Sequence, residues 1–278
     1  MSKVLSEIAI GPVKISNSRP LIAIGGCCSI ESEELPFKVA SELREIFQGL
    51  GVGFIFKASF DKANRSSARS WRGLGARRGL EILGKIRRRL GVPVLTDIHE
   101  PAQASLAAKV ADILQIPAFL SRQTDLIAAA AKTGRVINVK KGQFMSPWEC
   151  SNVIDKVASA GNSRVMLTER GFMFGYNNLV VDMRSLAIMR GLGAPVIYDA
   201  THSLQLPGGK GTSTGGLARY IAPLARAAAG VGIAGIFFET HPPPSRAKCD
   251  GPHTLGLGDV GPLWRQLMGI DAIVKNGR

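Results

Sequence analysis

A dense run of cationic and polar side chains lies in the first quarter of the chain. The stretch Lys57-Ala-Ser-Phe-Asp-Lys-Ala-Asn-Arg-Ser-Ser67 holds two lysines, an arginine, an asparagine and three serines directly after a short apolar run. Lys57 ends an expected strand, whereas Lys62, Asn64 and Arg65 lie on the loop beyond it. Several cationic donors converging from one loop suit a phosphorylated or carboxylated small molecule. A solvated basic surface loop is the competing interpretation of this stretch taken alone.

The same succession of apolar run and polar break repeats along the chain. Eight times a short continuous apolar run is followed by a polar or glycine-rich break and then by a longer segment with helical spacing. Because the runs are rich in Val, Ile and Phe and do not alternate, they are typical of parallel strands that are covered on both faces. The runs are Leu21–Gly26, Phe54–Phe56, Val92–Thr96, Ile113–Pro117, Val136–Val139, Arg164–Thr168, Pro195–Tyr198 and Gly235–Phe238.

The segments between the runs show helical signals. Ser32 is expected to cap a helix whose first turn holds Glu33 and Glu34, and apolar residues follow at three- and four-residue steps as far as Leu50. The segment that begins at Val260 repeats this spacing at the end of the chain. Strands and helices are therefore expected to alternate.

Eight strand–helix units in 278 residues predict an α/β fold, a (β/α)8 barrel that forms a single domain over residues 1–278. Two short apolar segments about Gly11-Pro12 predict a small hairpin, so that residues 1–18 would cap the barrel. A doubly wound sheet is the alternative. It would need a phosphate fingerprint such as G-x-G-x-x-G after the first strand, and Gly25-Gly-Cys-Cys-Ser29 is not one.

A parallel barrel gathers its chemistry where the strands end, and every expected strand end carries a polar or ionisable group. One set of these groups is cationic. So many positive charges repel one another unless an anion of comparable charge lies among them. A ligand with both phosphate and carboxylate, or two phosphorylated ligands, would match this set, which comprises Lys57, Lys62, Arg65, Lys140 and Arg170.

A second set offers a thiol, an imidazole and two carboxylates. Cys28, His202, Glu239 and Asp250 each come from a strand end or the loop after it. These donors together suit a divalent transition metal of borderline softness. Taken singly, a strand-end cysteine is more often a small buried hydrophobe and a lone histidine more often a hydrogen-bonding residue. The sequence does not show that the four side chains meet.

The amino-acid composition indicates which kinds of molecule the protein could bind. The chain has 35 Lys and Arg against 21 Asp and Glu, a formal charge of +14, which suits anionic substrates, nucleic acid or a membrane surface. Only three Trp and three Tyr are present, and neither a zinc-finger signature nor a bilayer-length apolar run occurs, so we expect no nucleic-acid or membrane partner. The four cysteines form no disulfide framework and no signal peptide precedes them, which favours a cytoplasmic protein.

Taken together, the motifs resemble the 3-deoxy-D-manno-octulosonate 8-phosphate synthase family over essentially the full length of the chain. The Lys-Ala-Asn-Arg-Ser-Ser segment in particular resembles this family rather than the related one that makes the seven-carbon shikimate precursor. The matching stretches are Lys57–Ser67, Gln115-Ile-Pro-Ala-Phe119, Arg122-Gln-Thr-Asp125, Asn138-Val-Lys-Lys141, Phe174–Asp182, Asp199-Ala-Thr-His202 and Glu239-Thr-His-Pro242.

The resemblance implies a homotetrameric (β/α)8 barrel that condenses phosphoenolpyruvate with arabinose 5-phosphate and water on the route to lipopolysaccharide. It implies that phosphoenolpyruvate is held by Lys57, Lys62, Gln115, Lys140 and Arg170. It also implies that the loop after the second barrel strand, partly from a neighbouring subunit, holds the pentose phosphate. A related synthase with another sugar acceptor, or a basic barrel that binds RNA, are the alternatives. The implied catalytic residues are Lys57, Lys62, Lys140, His202 and Asp250, and the implied substrate-binding residues are Asn64, Arg65, Ser66, Asp97, Gln115 and Arg170.

This family has a metal-dependent and a metal-free kind, which differ by Cys or Asn after the first strand. Cys28 therefore implies a divalent metal of the Mn, Fe, Zn or Co class, with His202, Glu239 and Asp250 as the other ligands. The segment Lys248-Cys-Asp-Gly251 departs from this pattern, since it is more similar to the metal-free kind.

Overall fold

Strands and helices alternate along the chain in the computed structural model, which describes residues 4–65, 67, 69–209 and 214–276. Within these residues the strands are β1 Glu7–Ile10, β2 Val13–Ser16, β3 Ile22–Ser29, β4 Phe54–Ser59, β5 Val94–Asp97, β6 Ile113–Ile116, β7 Val136–Lys140, β8 Val165–Glu169, β9 Val196–Asp199, β10 Gln205–Leu206, β11 Gly215–Gly216, β12 Gly235–His241 and β13 Leu255–Gly256. The α-helices are α1 Glu34–Leu50, α2 Gly75–Leu90, α3 Pro101–Ala108, α4 Thr124–Lys132, α5 Cys150–Ser159, α6 Arg184–Gly191, α7 Ile221–Val231 and α8 Val260–Asn276.

Strands β3 to β9 and β12 form a closed parallel barrel. They are hydrogen-bonded in chain order, and β12 pairs with both β9 and β3, so these eight strands form a closed ring. Each apolar run of the sequence overlaps one of these strands, which confirms the expected (β/α)8 barrel.

Several strands are longer than their apolar runs. The pairing of β3 with β4 continues to Ser29 opposite Ser59, and β12 continues to His241. Backbone hydrogen bonding thus persists after the side chains become polar. As a result Cys28 and Glu239 lie inside strands, where the sequence placed them just beyond the strand ends.

The expected N-terminal hairpin is present and closes the bottom of the barrel. Strands β1 and β2 pair antiparallel, with Ile8 opposite Ile15 and Ile10 opposite Val13. These four buried side chains form one apolar cluster with residues from the beginnings of the barrel strands. The amino-terminal end of the barrel is therefore filled, which leaves the carboxyl end for a site.

A second apolar cluster packs the helices against the outside of the barrel. Phe47 of α1 lies 4.9 Å from the ring of Trp264 of α8 and 5.0 Å from that of Phe54, measured between centroids. Helix α1 begins at Glu34, one residue later than the sequence predicted, and the Leu35 amide donates to the Ser32 hydroxyl over 3.2 Å. Within the described ranges, no helix is both long and apolar enough to cross a bilayer.

Glycine allows the first two barrel strands to approach closely. Gly26 has φ +157°, and a Cβ placed there would lie 2.1 Å from the carbonyl oxygen of Lys57. The close approach lets the Lys57 ammonium donate to the carbonyl of Cys28 over 3.2 Å. The two predicted site residues are thereby held side by side.

Candidate active site

A cavity of about 280 Å³ opens at the carboxyl end of the barrel, opposite the hairpin. Parallel strands all point their carboxyl ends toward it, so residues far apart in the chain line one space. Most of the residues predicted from the sequence line it, namely Lys57, Lys62, Asn64, Arg65, Asp97, Lys140, Arg170, His202 and Asp250. Ser66 lies outside the described residues, and the buried Cys28, Gln115 and Glu239 lie behind this lining.

The lysines of the cavity are paired with buried carboxylates. Lys57 donates to Glu239, whose same oxygen lies 3.6 Å from the ammonium of Lys62. Lys140 donates to Asp199 over 2.7 Å. The protein itself therefore offsets part of the charge that the sequence suggested only a ligand would offset.

The two arginines of the cavity keep unused donors. Arg170 donates through Nη2 to the carbonyl of His202 and to Gln205, at 2.8 and 2.6 Å. Its Nε and the Nε of Arg65 are buried without a hydrogen-bond partner among the described residues. Because a buried unpaired donor costs free energy, these two atoms mark places where an anionic ligand would bind.

Burial and neighbouring negative charges shift the pKa values of the cavity lysines in opposite directions. Burial alone would lower the pKa of Lys62, but the neighbouring Cys28 and Glu239 outweigh it, so this pKa is raised. For Lys140 burial wins over the attraction of Asp199, and its pKa is lowered. Burial also lowers the pKa of Arg170. The charged form is therefore more strongly favoured for Lys62 than for Lys140.

A chain of hydrogen bonds crosses five neighbouring strands beneath the cavity. Ser59 and Gln115 both donate to Asp97, the latter over 2.6 Å. Asn138 donates to Gln115 over 2.8 Å and accepts from Thr168 over 2.8 Å. Since each amide donates toward Asp97, the direction of the whole chain is fixed and the carboxylate is held in one orientation.

Pairwise contacts link the four predicted metal ligands at one side of the cavity. Among the described residues, the donor atoms that all lie within 4.8 Å of one another belong to two groups: Cys28, Cys249 and Asp250, and His202, Asp250 and His253. The Cys28 thiol lies 3.0 Å from Oδ2 of Asp250, and donor atoms of His202 and Asp250 lie within 4.8 Å of each other. His202 Nε2 lies 3.4 Å from Oε2 of Glu239. The Nδ1 atom of His202 is held by Asp199 at 2.8 Å, which leaves Nε2 directed at the group.

One observation supports a fit between these donors and a metal ion. Oε2 of Glu239 is buried and accepts no hydrogen bond from the described residues. Asp250 has φ +59°, in the left-handed region that Asp and Asn enter more readily than other non-glycine residues. A thiolate, an imidazole and two carboxylates with one unpaired oxygen suit a divalent ion of borderline softness.

Comparison with known proteins identifies a family that matches nearly the whole chain. A family model described as the DAHP synthetase I family matches residues 5–275. The chain belongs to the DAHP synthetase I family. A protein of Geobacter sp. (strain M21) named 2-dehydro-3-deoxyphosphooctonate aldolase is 56% identical over 269 residues, covering 97% of this chain and 98% of its own length. A protein of the same name from Syntrophotalea carbinolica is 54% identical over 268 residues, covering 96% and 97%.

A third relative of that name, from Rhodopseudomonas palustris (strain BisB5), is 56% identical over 269 residues and covers 96% of this chain and 94% of its own length. This shared name is another name for the octulosonate phosphate synthases. The resemblance seen in the sequence motifs is thus confirmed at the level of the family.

In this DAHP synthetase I chain, the structure adds residues to which the sequence assigned no role. Asn138 joins the hydrogen-bond chain to Asp97, and Cys249 lies beside Cys28 and Asp250. His253 Nε2 lies 3.5 Å from Asp250, and burial lowers the pKa of this histidine to about 4. Cys249 and His253 could have been suspected because they flank Asp250 in the sequence, whereas Asn138 looks like part of an apolar strand.

Proposed function

We propose that this chain condenses phosphoenolpyruvate with D-arabinose 5-phosphate and water, giving 3-deoxy-D-manno-octulosonate 8-phosphate and inorganic phosphate in lipopolysaccharide precursor biosynthesis. The relatives' shared name and their 54–56% identity over nearly the whole chain support this reaction. The observation that carries the proposal is the cavity, in which two arginines have buried donors without a partner among the described residues, beside three lysines. Such a cavity suits two phosphorylated substrates.

The cationic groups divide between the two substrates. Lys57, Lys62, Lys140 and Arg170 would hold the phosphate and carboxylate of phosphoenolpyruvate, because they line the inner part of the cavity from three different strands and their loops. Asn64, Arg65 and Ser66 would hold the pentose phosphate at the outer loop. Gln115 would act through Asp97, to which it donates while fully buried itself.

The reaction joins C3 of phosphoenolpyruvate to the aldehyde carbon of the pentose. Water adds to C2 as positive charge develops there, and the resulting hemiketal phosphate breaks its C–O bond to release inorganic phosphate. The proton lost by water balances the proton gained by the new hydroxyl. His202 and Asp250 line the cavity together and would act in the reaction through the ion that they help to hold. Lys57, Lys62 and Lys140 would stabilise the anionic groups with donors already in place.

Cys28, His202, Glu239 and Asp250 would hold a divalent ion, which when bound supplies a Lewis acid that orients the aldehyde. The unpaired Glu239 oxygen supports this assignment. The side chain of His202 contributes in a second way, since Asp199 fixes its ring in one orientation.

The chain would work as a cytoplasmic homotetramer, with neither nucleic acid nor membrane as partner. Several large apolar side chains around the cavity end of the barrel are exposed, which supports burial against other subunits. Among them Phe174 is 67% and Tyr176 is 87% exposed. Sedimentation of the purified protein tests the assembly.

The test of the reaction is aldose-dependent phosphate release from phosphoenolpyruvate, with mass analysis of the product. Arabinose 5-phosphate should give fast release and an eight-carbon product. Erythrose 4-phosphate serves as the matched acceptor, and we expect it to be much slower. Faster turnover with erythrose 4-phosphate would assign the chain to a related synthase instead.

A further inference from the structure

A second thiol, that of Cys249, lies beside the four residues of the proposed metal site and was not assigned to it. Sγ of Cys249, Sγ of Cys28 and a carboxylate oxygen of Asp250 all lie within 4.8 Å of one another. Cys249 is 3% exposed, and its thiol lies 3.2 Å from the hydroxyl of Ser29. A buried thiol among polar donors differs from the usual cysteine packed in an apolar core.

The other two buried cysteines show what a packing cysteine looks like in this chain. Cys27 and Cys150 belong to the apolar cluster between barrel and helices. Cys28 and Cys249 are equally buried but lie among charged and polar groups and outside both apolar clusters. The four cysteines therefore fall into two pairs with different surroundings.

We propose that Cys249 is a second thiolate ligand of the metal site and that it makes the site prefer Zn²⁺ to Mn²⁺. This inference rests on the proposed metal site of Cys28, His202, Glu239 and Asp250. Thiolates favour zinc and other borderline or soft ions, whereas carboxylates alone suit Mn²⁺. Adding a second sulfur donor to this set thus shifts the preference toward zinc.

The charge of such a site is balanced by its surroundings. Two thiolates and two carboxylates carry more negative charge than a divalent ion neutralises. Lys57 donates to Glu239, and Lys62 lies 3.6 Å from the same carboxylate, both lysines being buried. These two ammonium groups offset the excess where water is largely excluded.

X-ray absorption at the zinc edge tests the proposal on the wild-type protein without any variant. The protein is stripped with a chelator and loaded with Zn²⁺ alone, and sulfur neighbours at about 2.3 Å are counted. Two sulfurs are expected. A count of one sulfur would show that Cys249 is not a ligand and would leave the proposed metal site intact. If the protein binds no zinc tightly, both the role of Cys249 and the proposed metal site are wrong.

The variant Cys249→Ser should reduce the count to one sulfur, and the core variant Cys150→Ser should leave two. Competition between Zn²⁺ and Mn²⁺ gives a second readout. We expect Cys249→Ser to lower the preference for zinc by roughly tenfold to a hundredfold. An unchanged preference and sulfur count in Cys249→Ser would refute the proposal. Arabinose-dependent phosphate release is measured separately, so a failure of the proposed reaction is told apart from a failure here.

Discussion

The thiol of Cys28 lies 3.0 Å from a carboxylate oxygen of Asp250, although 222 positions separate the two residues in the chain. Cys28 belongs to the first barrel strand, and Asp250 lies on the loop after the last one. The contact therefore forms where the barrel closes. A metal ion bound there would displace the thiol proton, because the thiolate is the ligand form.

Cys28→Asn should abolish tight metal binding. The change removes the sulfur donor and leaves an amide that binds a borderline ion weakly. We expect the metal content after dialysis, measured by elemental analysis, to fall by at least about tenfold. Cys27→Ser is the matched control, since that neighbouring cysteine lies in the apolar cluster. Equal metal content in Cys28→Asn and wild type would show that this thiol is not a ligand.

Asn138→Ala should impair both stability and phosphoenolpyruvate binding. It leaves Gln115 and Thr168 without their partner, so we expect a loss of about 2–4 kcal/mol in the free energy of unfolding. The freed Gln115 amide would also no longer fix Asp97, and KM for phosphoenolpyruvate should rise.

The control for this variant is Asn17→Ala at the opposite end of the barrel. Asn17 bonds the backbone of Ala194 and Val196, so its loss should lower stability in a similar way. KM in Asn17→Ala should stay near the wild-type value. A KM that is equally unaffected in Asn138→Ala would mean that the chain of hydrogen bonds serves stability alone.

Much of the fold and of the site followed from the sequence because parallel strands end at one edge. The polar residues that follow apolar runs, such as Lys57 and Lys140, were therefore correctly expected to share one cavity. Asn138 belongs to one of the matching motifs, but no role could be assigned to it, because only the register of β6 against β7 sets it opposite Gln115. The position of Cys249 depends on how the loop after β12 folds back, and no periodicity of the sequence encodes that path.

Arg65→Ala should weaken binding of the pentose phosphate. Nε of this guanidinium is buried at the cavity without a hydrogen-bond partner in the described part of the chain, and a charged hydrogen bond contributes about 1.5–3 kcal/mol. Steady-state kinetics should then show KM for arabinose 5-phosphate rising roughly tenfold to a hundredfold, with KM for phosphoenolpyruvate changed less. Arg69→Ala removes an exposed arginine of the same loop and should leave both values near wild type. Parallel increases in both KM values would argue against the assignment.

Asp97→Asn should change the pH dependence of the free energy of unfolding. Burial alone would raise the pKa of Asp97, but Lys57, Lys62 and Lys140 outweigh it and hold this pKa well below its usual value of about 3.9. Below pH 4 the unfolded chain binds more protons at this carboxyl than the folded chain does. The stability that the carboxylate contributes is therefore fully present above pH 4 and is lost as the pH falls.

Denaturant unfolding at pH 7 and pH 3 tests this expectation. The stability difference between wild type and Asp97→Asn should be larger at pH 7 and should shrink at pH 3. Asp155→Asn, at an exposed position on α5, controls for the loss of one carboxylate. A difference that grows on acidification would contradict the ion pairing described for Asp97.

The central claim is a metal-assisted condensation in the cavity at the carboxyl end of the barrel. Its most direct test is phosphate release from phosphoenolpyruvate with arabinose 5-phosphate, measured before chelation, after chelation, and after Mn²⁺ or Zn²⁺ is returned. We predict arabinose-dependent release that is lost on chelation and restored by the metal. If chelation does not change phosphate release, the proposed reaction is supported but the role of the metal in it is refuted. No arabinose-dependent release with metal supplied would contradict the proposed function.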